Sequence, residues 1–347
     1  MKPILNTFLL LLLCSTMDLL HGQNNNLKKE IGKIIRYESN IDFSRVPGVM
    51  VGVLDGSNKF INSYGEQLDP DSIYELGGVT MPIVAWLVHQ ALDSLGWKRD
   101  ASVCQFLPDS LCHGTWLSLN IDHILNQRSG LPKRPNLSKE EQSNENGPYT
   151  DYDYRRLSKD LAEMIPVPGT YGYSNIAYAL LYWLFEQVGG MESFANQRLF
   201  VPFMLDKTGW NFPDEMVAKG HSLGGRVKSH WQENAFASAS GLAASMNDML
   251  ILLDVMSPDL IEATPLLTPS MEKEFKELYK AREHKVIDGW FLSQSGKDIV
   301  YYFTSSTVGH HVSVAFMPQK RKGVVVFSNG AFGSNDLCHL VLDMISR

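Results

Sequence analysis

A chain of 347 residues with 44% hydrophobic side chains can bury the core of one large domain, or of one domain with a second lobe inserted. Its formal net charge is -7 and its Lys and Arg residues are dispersed. That excludes a nucleic-acid face, which needs clustered cations, and the charge is too low for a disordered chain.

Met1-Lys2 is followed by the apolar run PILNTFLLLLLCSTM and the polar break DLLHGQNNN. The pattern predicts an export leader over residues 1–22, cleaved near Gly22, with an uncleaved anchor as the competing reading. Its apolar core is short for a membrane span. Leu13 stands where lipid attachment at Cys14 would want a small residue, so that reading is rejected. Residues 23–347 are expected to be one exported domain, periplasmic or secreted, with no stable membrane span after cleavage.

NLKKEIGKIIRY has helical spacing, and PGVMVGVLDGSNKFINSYG reads as two strands joined by an Asp-Gly turn. IYELGGVTMPIVAWLVHQAL, residues 73–92, reads as a strand end, a Gly-Gly corner and a buried helix. Residues 132–156 are polar and rich in Pro, Asn and Glu, which predicts a surface excursion or lid. YSNIAYALLYWLFEQVGG is an apolar helix closed by glycines, followed by MESFANQRLFVPF. Residues 205–235 show little period, and SMNDMLILLDVM and TPSMEKEFKELYKAREH read as helices. VIDGWFLSQ, DIVYYFTSS, HHVSVAFMP and KGVVVFSN are four strand-like runs, and SNDLCHLVLDMIS is a closing helix. Strands thus gather at both ends and helices in the middle. The expected fold class is α/β, in the α+β sense. An antiparallel sheet forms from the N- and C-terminal parts (about 30–75 and 285–347), flanked by helices, and a mostly helical lobe (about 76–284) is inserted between them.

The mature chain keeps Cys104, Cys112 and Cys338. Cys104 and Cys112 flank a short Pro-containing loop and are a candidate disulfide if the protein is exported, although two buried thiols explain the sequence equally. Cys338 reads as a buried thiol. The doublet His310-His311 alternates across a strand, so its rings face opposite ways and do not share a metal. No CxxC or HExxH is present, and neither a metal nor another cofactor is expected.

Several segments, in order, carry a resemblance. PGVMVGVLDGSNKF, ILNQRSGLP, PGTYGYSNIAYALL, ASGLAASMNDML and VGHHVSVAFMPQKRKGVVVFSN resemble segments of the serine β-lactamase and penicillin-binding-protein-like hydrolases, especially the class C β-lactamase, DD-peptidase and esterase group. The resemblance spans about residues 30–345 and implies the β-lactamase/transpeptidase-like fold. In that family a Ser-x-x-Lys pair one helical turn apart supplies nucleophile and base. The matching tetrad here is Gly78-Val79-Thr80-Met81, so neither group is present, while Pro82 suits a first helical turn. The family's Tyr-x-Asn survives as Tyr173-Ser174-Asn175, although Ser and Asn would also serve as helix caps. The family's basic Lys/His-Thr-Gly strand matches Phe303-Thr304-Ser305, and no Lys or His lies between Asp298 and His310. The other Ser-x-x-Lys, Ser270 to Lys273, sits in a charged stretch far from these motifs, and chance accounts for it.

The resemblance combined with these losses implies a pseudoenzyme that binds a peptide, an acyl ligand or a protein partner. Gly78, with its N–H at a helix start, is expected to line the pocket with Tyr173, Asn175 and Thr304. Two other readings stay open: a weak esterase, amidase or transacylase using Tyr173 with water or a residue such as His311, and a structural domain whose pocket Met81 and Phe303 have filled.

Overall fold

The computed structural model describes residues 24–263, 273–274, 276–278, 284–333 and 336–347. The leader assigned to residues 1–22 and Ser270 lie outside them, as does most of the helix expected over 268–284.

Seven antiparallel strands form the main sheet: β1 (Gly48–Asp55), β2 (Asn58–Gly65), β3 (Lys285–Ile287), β4 (Trp290–Ser295), β5 (Asp298–Ser306), β6 (His311–Met317) and β7 (Lys322–Ser328). Their order is β2-β1-β7-β6-β5-β4-β3, so the N-terminal hairpin is closed onto the C-terminal strands by β1 against β7, with Val51 opposite Val326. The expected joining of the two chain ends into one sheet is what the structure contains.

Period-two alternation sorts the two faces. Val49, Val51, Val53, Ala315, Met317, Val324 and Val326 pack against the helices at residues 24–37 and Leu337–Ser346. Met50, Leu54, Val312, Val314, Phe316, Val325 and Phe327 point the other way, into the larger core shared with the helical lobe. Two long helices carry that second face: Thr80–Leu95, and Met246–Ala263, which approaches so closely that a Cβ on Gly52 would lie 2.3 Å from Met246 Sδ. The first of these ends where Gly96 turns left-handed at φ 66° and donates its N–H to Asp93 and Leu92 carbonyls.

The C-terminal third differs from expectation in one respect. VIDGWFLSQ is two strands, because Asp288 and Gly289 take φ values of 50° and 79° and make a two-residue hairpin turn between β3 and β4. The turn packs on the first turn of the Thr80–Leu95 helix, where a Cβ on Gly289 would lie 2.8 Å from Pro82 N and 2.9 Å from the Met81 carbonyl carbon. Both the left-handed backbone and the contact exclude a side chain there. Gly289→Ala is therefore expected to cost about 2 kcal/mol or more, read as a lower denaturant midpoint at unchanged slope.

Candidate functional site

The short strand Tyr74–Glu75 pairs with Ala243–Ala244 and delivers the chain to the Gly-Gly corner. Gly77 sits at φ 50°, and a Cβ on it would be 2.6 Å from Ser305 Oγ. A 3-10 turn over Gly77–Val79 then leads into the helix Thr80–Leu95. The Gly78 N–H donates to Ser305 Oγ at 2.8 Å, so this donor is satisfied by β5. A Cβ on Gly78 would meet Tyr173 Oη at 2.8 Å and Phe303 Cε1 at 2.9 Å. The volume that a side chain at this tip would occupy is therefore already filled.

One turn further on, Met81 is fully buried. Its Sδ accepts from Gln127 Nε2 at 3.2 Å, while Gln127 Oε1 accepts the Ser174 N–H at 2.7 Å. The Ser174 N–H requires an acceptor, which fixes the amide orientation and turns the NH2 group toward sulfur. Gln127 adopts φ 56° to make this bridge.

Tyr173 lies between aromatic rings, with centroids 6.4 Å from both Phe291 and Phe303, and Lys133 Nζ stands 5.4 Å over its ring. Burial first, then the neighbouring Tyr149 and Glu233, pushes its phenol well above the usual range. Ser174 is the cap of the helix Asn175–Ala179, accepting the Ala177 N–H at 3.0 Å. Asn175 is thereby left for other contacts. Its Nδ2 donates to Tyr149 Oη at 3.4 Å, and its Oδ1 is buried with no hydrogen-bond partner among the described residues.

Gly78, Met81, Tyr173, Asn175 and Phe303 are thus gathered at one place, whereas Thr304 is not. Strand alternation turns Thr304 to the opposite face of the sheet, where its Oγ1 donates to Ser313 Oγ at 3.3 Å. Ser305 is the strand residue that reaches the corner. His311 also lies on the far face, 2.8 Å from Ser306 Oγ through Nδ1, and burial lowers its pKa to about 4. Its neighbour His310 faces Glu75, so the doublet is split between the two faces as expected. Cys104 and Cys112 adjoin as reduced thiols, and Cys112 is pushed up to about 12 by burial and then by its hydrogen bond to Cys104. The Cys338 thiol is fully buried, as expected.

A second polar group flanks the corner. Glu75 is 4% exposed, yet it accepts from His230 Nδ1 at 2.9 Å, from His310 Nδ1 at 3.1 Å, from the Trp231 N–H at 2.5 Å and from the Thr307 hydroxyl. Burial would raise this carboxyl, but the His230, His310 and Thr307 donors together hold it well below the usual range. Glu233 has the contrary setting. It is 5% exposed, Ser240 Oγ donates to its Oε2 at 2.5 Å, and its Oε1 is buried with no partner among the described residues. Burial, opposed by Ser240 and aided by the Glu75 charge, raises its pKa to about 8.

The family model described as Beta-lactamase matches residues 35–340. The chain belongs to the β-lactamase family. Solved members of this family and its relatives superpose over nearly the whole chain. The class C β-lactamase from Rhodobacter sphaeroides is 20% identical, with 93% of this chain and 99% of that chain covered and a TM-score of 0.68. The β-lactamase/D-alanine carboxypeptidase from Pseudomonas syringae is 16% identical, with 94% and 99% covered and a TM-score of 0.70. The β-lactamase from Sulfitobacter sp. EE-36 is 19% identical, with 94% and 98% covered and a TM-score of 0.71. No curated protein matches the chain. At these identities the likeness establishes the β-lactamase fold and leaves the chemistry to the residues themselves.

Sequence reasoning missed three residues of this β-lactamase-like site, Gln127, Tyr149 and Glu233, and it named Ser305 only as the last residue of the strand motif, not as the acceptor of the Gly78 N–H. Ser305 was one alternation step from Thr304, and Gln127 lies inside ILNQRSGLP, so both had a signal. Tyr149 and Glu233 lie in irregular polar segments where no period marks burial.

The Glu233 environment has a measurable consequence. Between the unperturbed range near pH 4.5 and its raised value near 8, the folded state holds a proton that the unfolded state has lost, so stability falls as pH rises. The lowered His311 acts oppositely and only below about pH 6.5. Between pH 6.5 and 8 the unfolding free energy is therefore expected to drop by about 2 kcal/mol, at 1.36 kcal/mol per pH unit. Glu233→Gln is expected to remove this slope in urea titrations run across that interval.

Proposed function

We propose that this is an exported β-lactamase-family protein that no longer forms an acyl-enzyme and works by binding. One observation carries the reading: the tip where the family's nucleophile would project holds Gly78, and Phe303 and Tyr173 occupy the space a side chain would need. Acyl transfer needs a nucleophile, a base beside it and room for a carbonyl carbon. Here the base position is Met81, whose thioether is a poor proton acceptor and already takes a hydrogen bond from Gln127. The buried, raised phenol of Tyr173 favours keeping its proton, which argues against Tyr173 with water as a substitute base. His311 lies on the wrong face of the sheet for that role.

The ligand would be a peptide, an acyl compound or a protein partner. Among the described residues, Asn175 Oδ1, like Glu233 Oε1, keeps unspent hydrogen-bonding capacity at the site. The closed tip favours a ligand that reads the rim and does not enter as a substrate would. Export would permit the adjoining Cys104 and Cys112 thiols to pair, and a pair is expected as a native mass two hydrogens below the reduced form.

Labelling with a fluorescent penicillin, with generic esters as a parallel assay, tests the reading. Unaltered protein is expected to show no covalent adduct and no turnover above background, since loss of nucleophile and base together costs on the order of a million-fold. Gly78→Ser alone is expected to stay unlabelled and to lose about 1–3 kcal/mol, because its side chain meets Phe303 and Tyr173. The triple variant Gly78→Ser, Met81→Lys, Phe303→His equips the tip and replaces one of the two obstructing rings by a smaller one, and slow labelling is expected from it. An adduct on any side chain of the unaltered protein overturns the proposal.

A further inference from the structure

Apart from the helix tip, the segment after His230 borders a cavity of about 660 Å³, the largest among those described. Trp210, Phe212 and Trp231 contribute aromatic walls, and Glu192, Asp214 and Glu233 contribute the charge. No Lys or Arg lines it among the described residues. Trp210 is fixed in place by its Nε1–H, which donates to the Ala237 carbonyl at 3.0 Å, and by the Phe200 ring 5.7 Å away. Two buried polar atoms on these residues have no hydrogen-bond partner among the described residues: Glu233 Oε1 and Trp231 Nε1.

A buried carboxyl oxygen without a partner is costly, and native structures keep such groups mainly where something else completes them. The Glu75 network shows that this region satisfies a carboxylate fully when it is structural, with donors from His230, His310, Trp231 and Thr307. Glu233, a short distance along the same chain, receives Ser240 alone. We infer that this aromatic and acidic cavity is a binding site for a small organic ammonium ion, with the cation held against Trp210, Phe212 and Trp231 and its charge met by Glu233, Glu192 and Asp214. Aromatic faces attract such cations through their quadrupoles, and burial strengthens the attraction. Carboxylates beside the rings select a cation over a neutral molecule of the same shape.

The electrostatics follow from that geometry. The groups facing Glu233 are the Ser240 hydroxyl, the phenols of Tyr149 and Tyr173 and the Glu75 carboxylate, and Glu192, Asp214 and His230, whose Nδ1 is engaged by Glu75, line the same cavity. With that surrounding and burial, Glu233 favours its protonated form at neutral pH when no cation faces it. An arriving cation favours the carboxylate, so binding releases the Glu233 proton to solvent and strengthens as pH rises toward 8. No bond other than that O–H is broken.

Calorimetric titration with choline chloride, beside its neutral isostere 3,3-dimethylbutan-1-ol, tests the site. Runs at pH 7 in two buffers of different ionisation enthalpy count the protons. Choline is expected to bind saturably with Kd on the order of 1 mM, releasing close to one proton, and the isostere at least tenfold more weakly. Glu233→Gln is expected to weaken choline about tenfold and abolish the proton release, while Phe212→Ala weakens it several-fold and leaves the release intact. If Glu233→Gln does not fold, the exposed pair Glu192→Gln, Asp214→Asn decides, with an expected loss of about threefold and a shallower salt dependence. Absence of saturable choline binding to about 50 mM overturns the proposal. Equal affinity for the isostere, or wild-type affinity in the decisive variant, does so as well.

Discussion

The organisation of the site depends on the contact between the Gly-Gly corner and strand β5. Ser305 takes the Gly78 N–H, Phe303 lies against the Gly78 Cα, and both residues point the same way because they are two apart on a strand. In an enzyme of this fold the N–H at such a corner is most useful when free to receive a developing oxyanion. Here it is occupied by the protein's own hydroxyl. The backbone of a reactive corner is therefore kept, while the donor and the space that reactivity would use are both taken.

This contact also accounts for the retention of features that catalysis alone would not preserve. Gly77 must be glycine because Ser305 leaves no room for a Cβ at φ 50°. Gln127 must hold its left-handed backbone to join Met81 to the Ser174 N–H. Glu75 must remain charged because four donors converge on it. Each is a packing or hydrogen-bond requirement of the corner, and the Gln127 bridge to the Ser174 N–H fixes the backbone between Tyr173 and Asn175. Ser174 within that Tyr-Ser-Asn run also serves as a helix cap, accepting the Ala177 N–H.

Much of the fold was legible because its signals are local. The Asp-Gly signal marks the first hairpin, although the structure places Asp55 at the end of β1, opposite Asn58, and makes Gly56-Ser57 the two-residue loop, one position later than expected. The equivalent turn at Asp288-Gly289 was overlooked because the strand ahead of it is only Lys285–Ile287, too short to show alternation. At the site, Gly78, Met81 and Phe303 were legible as departures from a known pattern. Thr304 was misplaced by reading a motif as a unit when strand alternation splits it between faces. Tyr149 and Glu233 were invisible, since their burial comes from tertiary packing: Tyr149 stacks on Phe236 with centroids 4.0 Å apart, and Glu233 is enclosed beside Ser240. The polar excursion at 132–156 is accordingly tethered by buried tyrosines at 149 and 152, although its surface composition suggested a loose lid.

The ring that stops the helix tip does not stand alone. Phe303 packs on Phe291 with centroids 5.1 Å apart, Phe291 on Tyr302 at 5.7 Å, and Phe291 also on His284 at 5.1 Å. Such contacts are worth about 0.5–1.5 kcal/mol each and depend on one another. A plug wired into a chain of rings cannot swing out by one rotamer change, because its neighbours would have to regroup with it. Clearing the tip therefore requires Phe303, Phe291 and the rings around them to move together, a regrouping that a single side-chain rotation does not achieve.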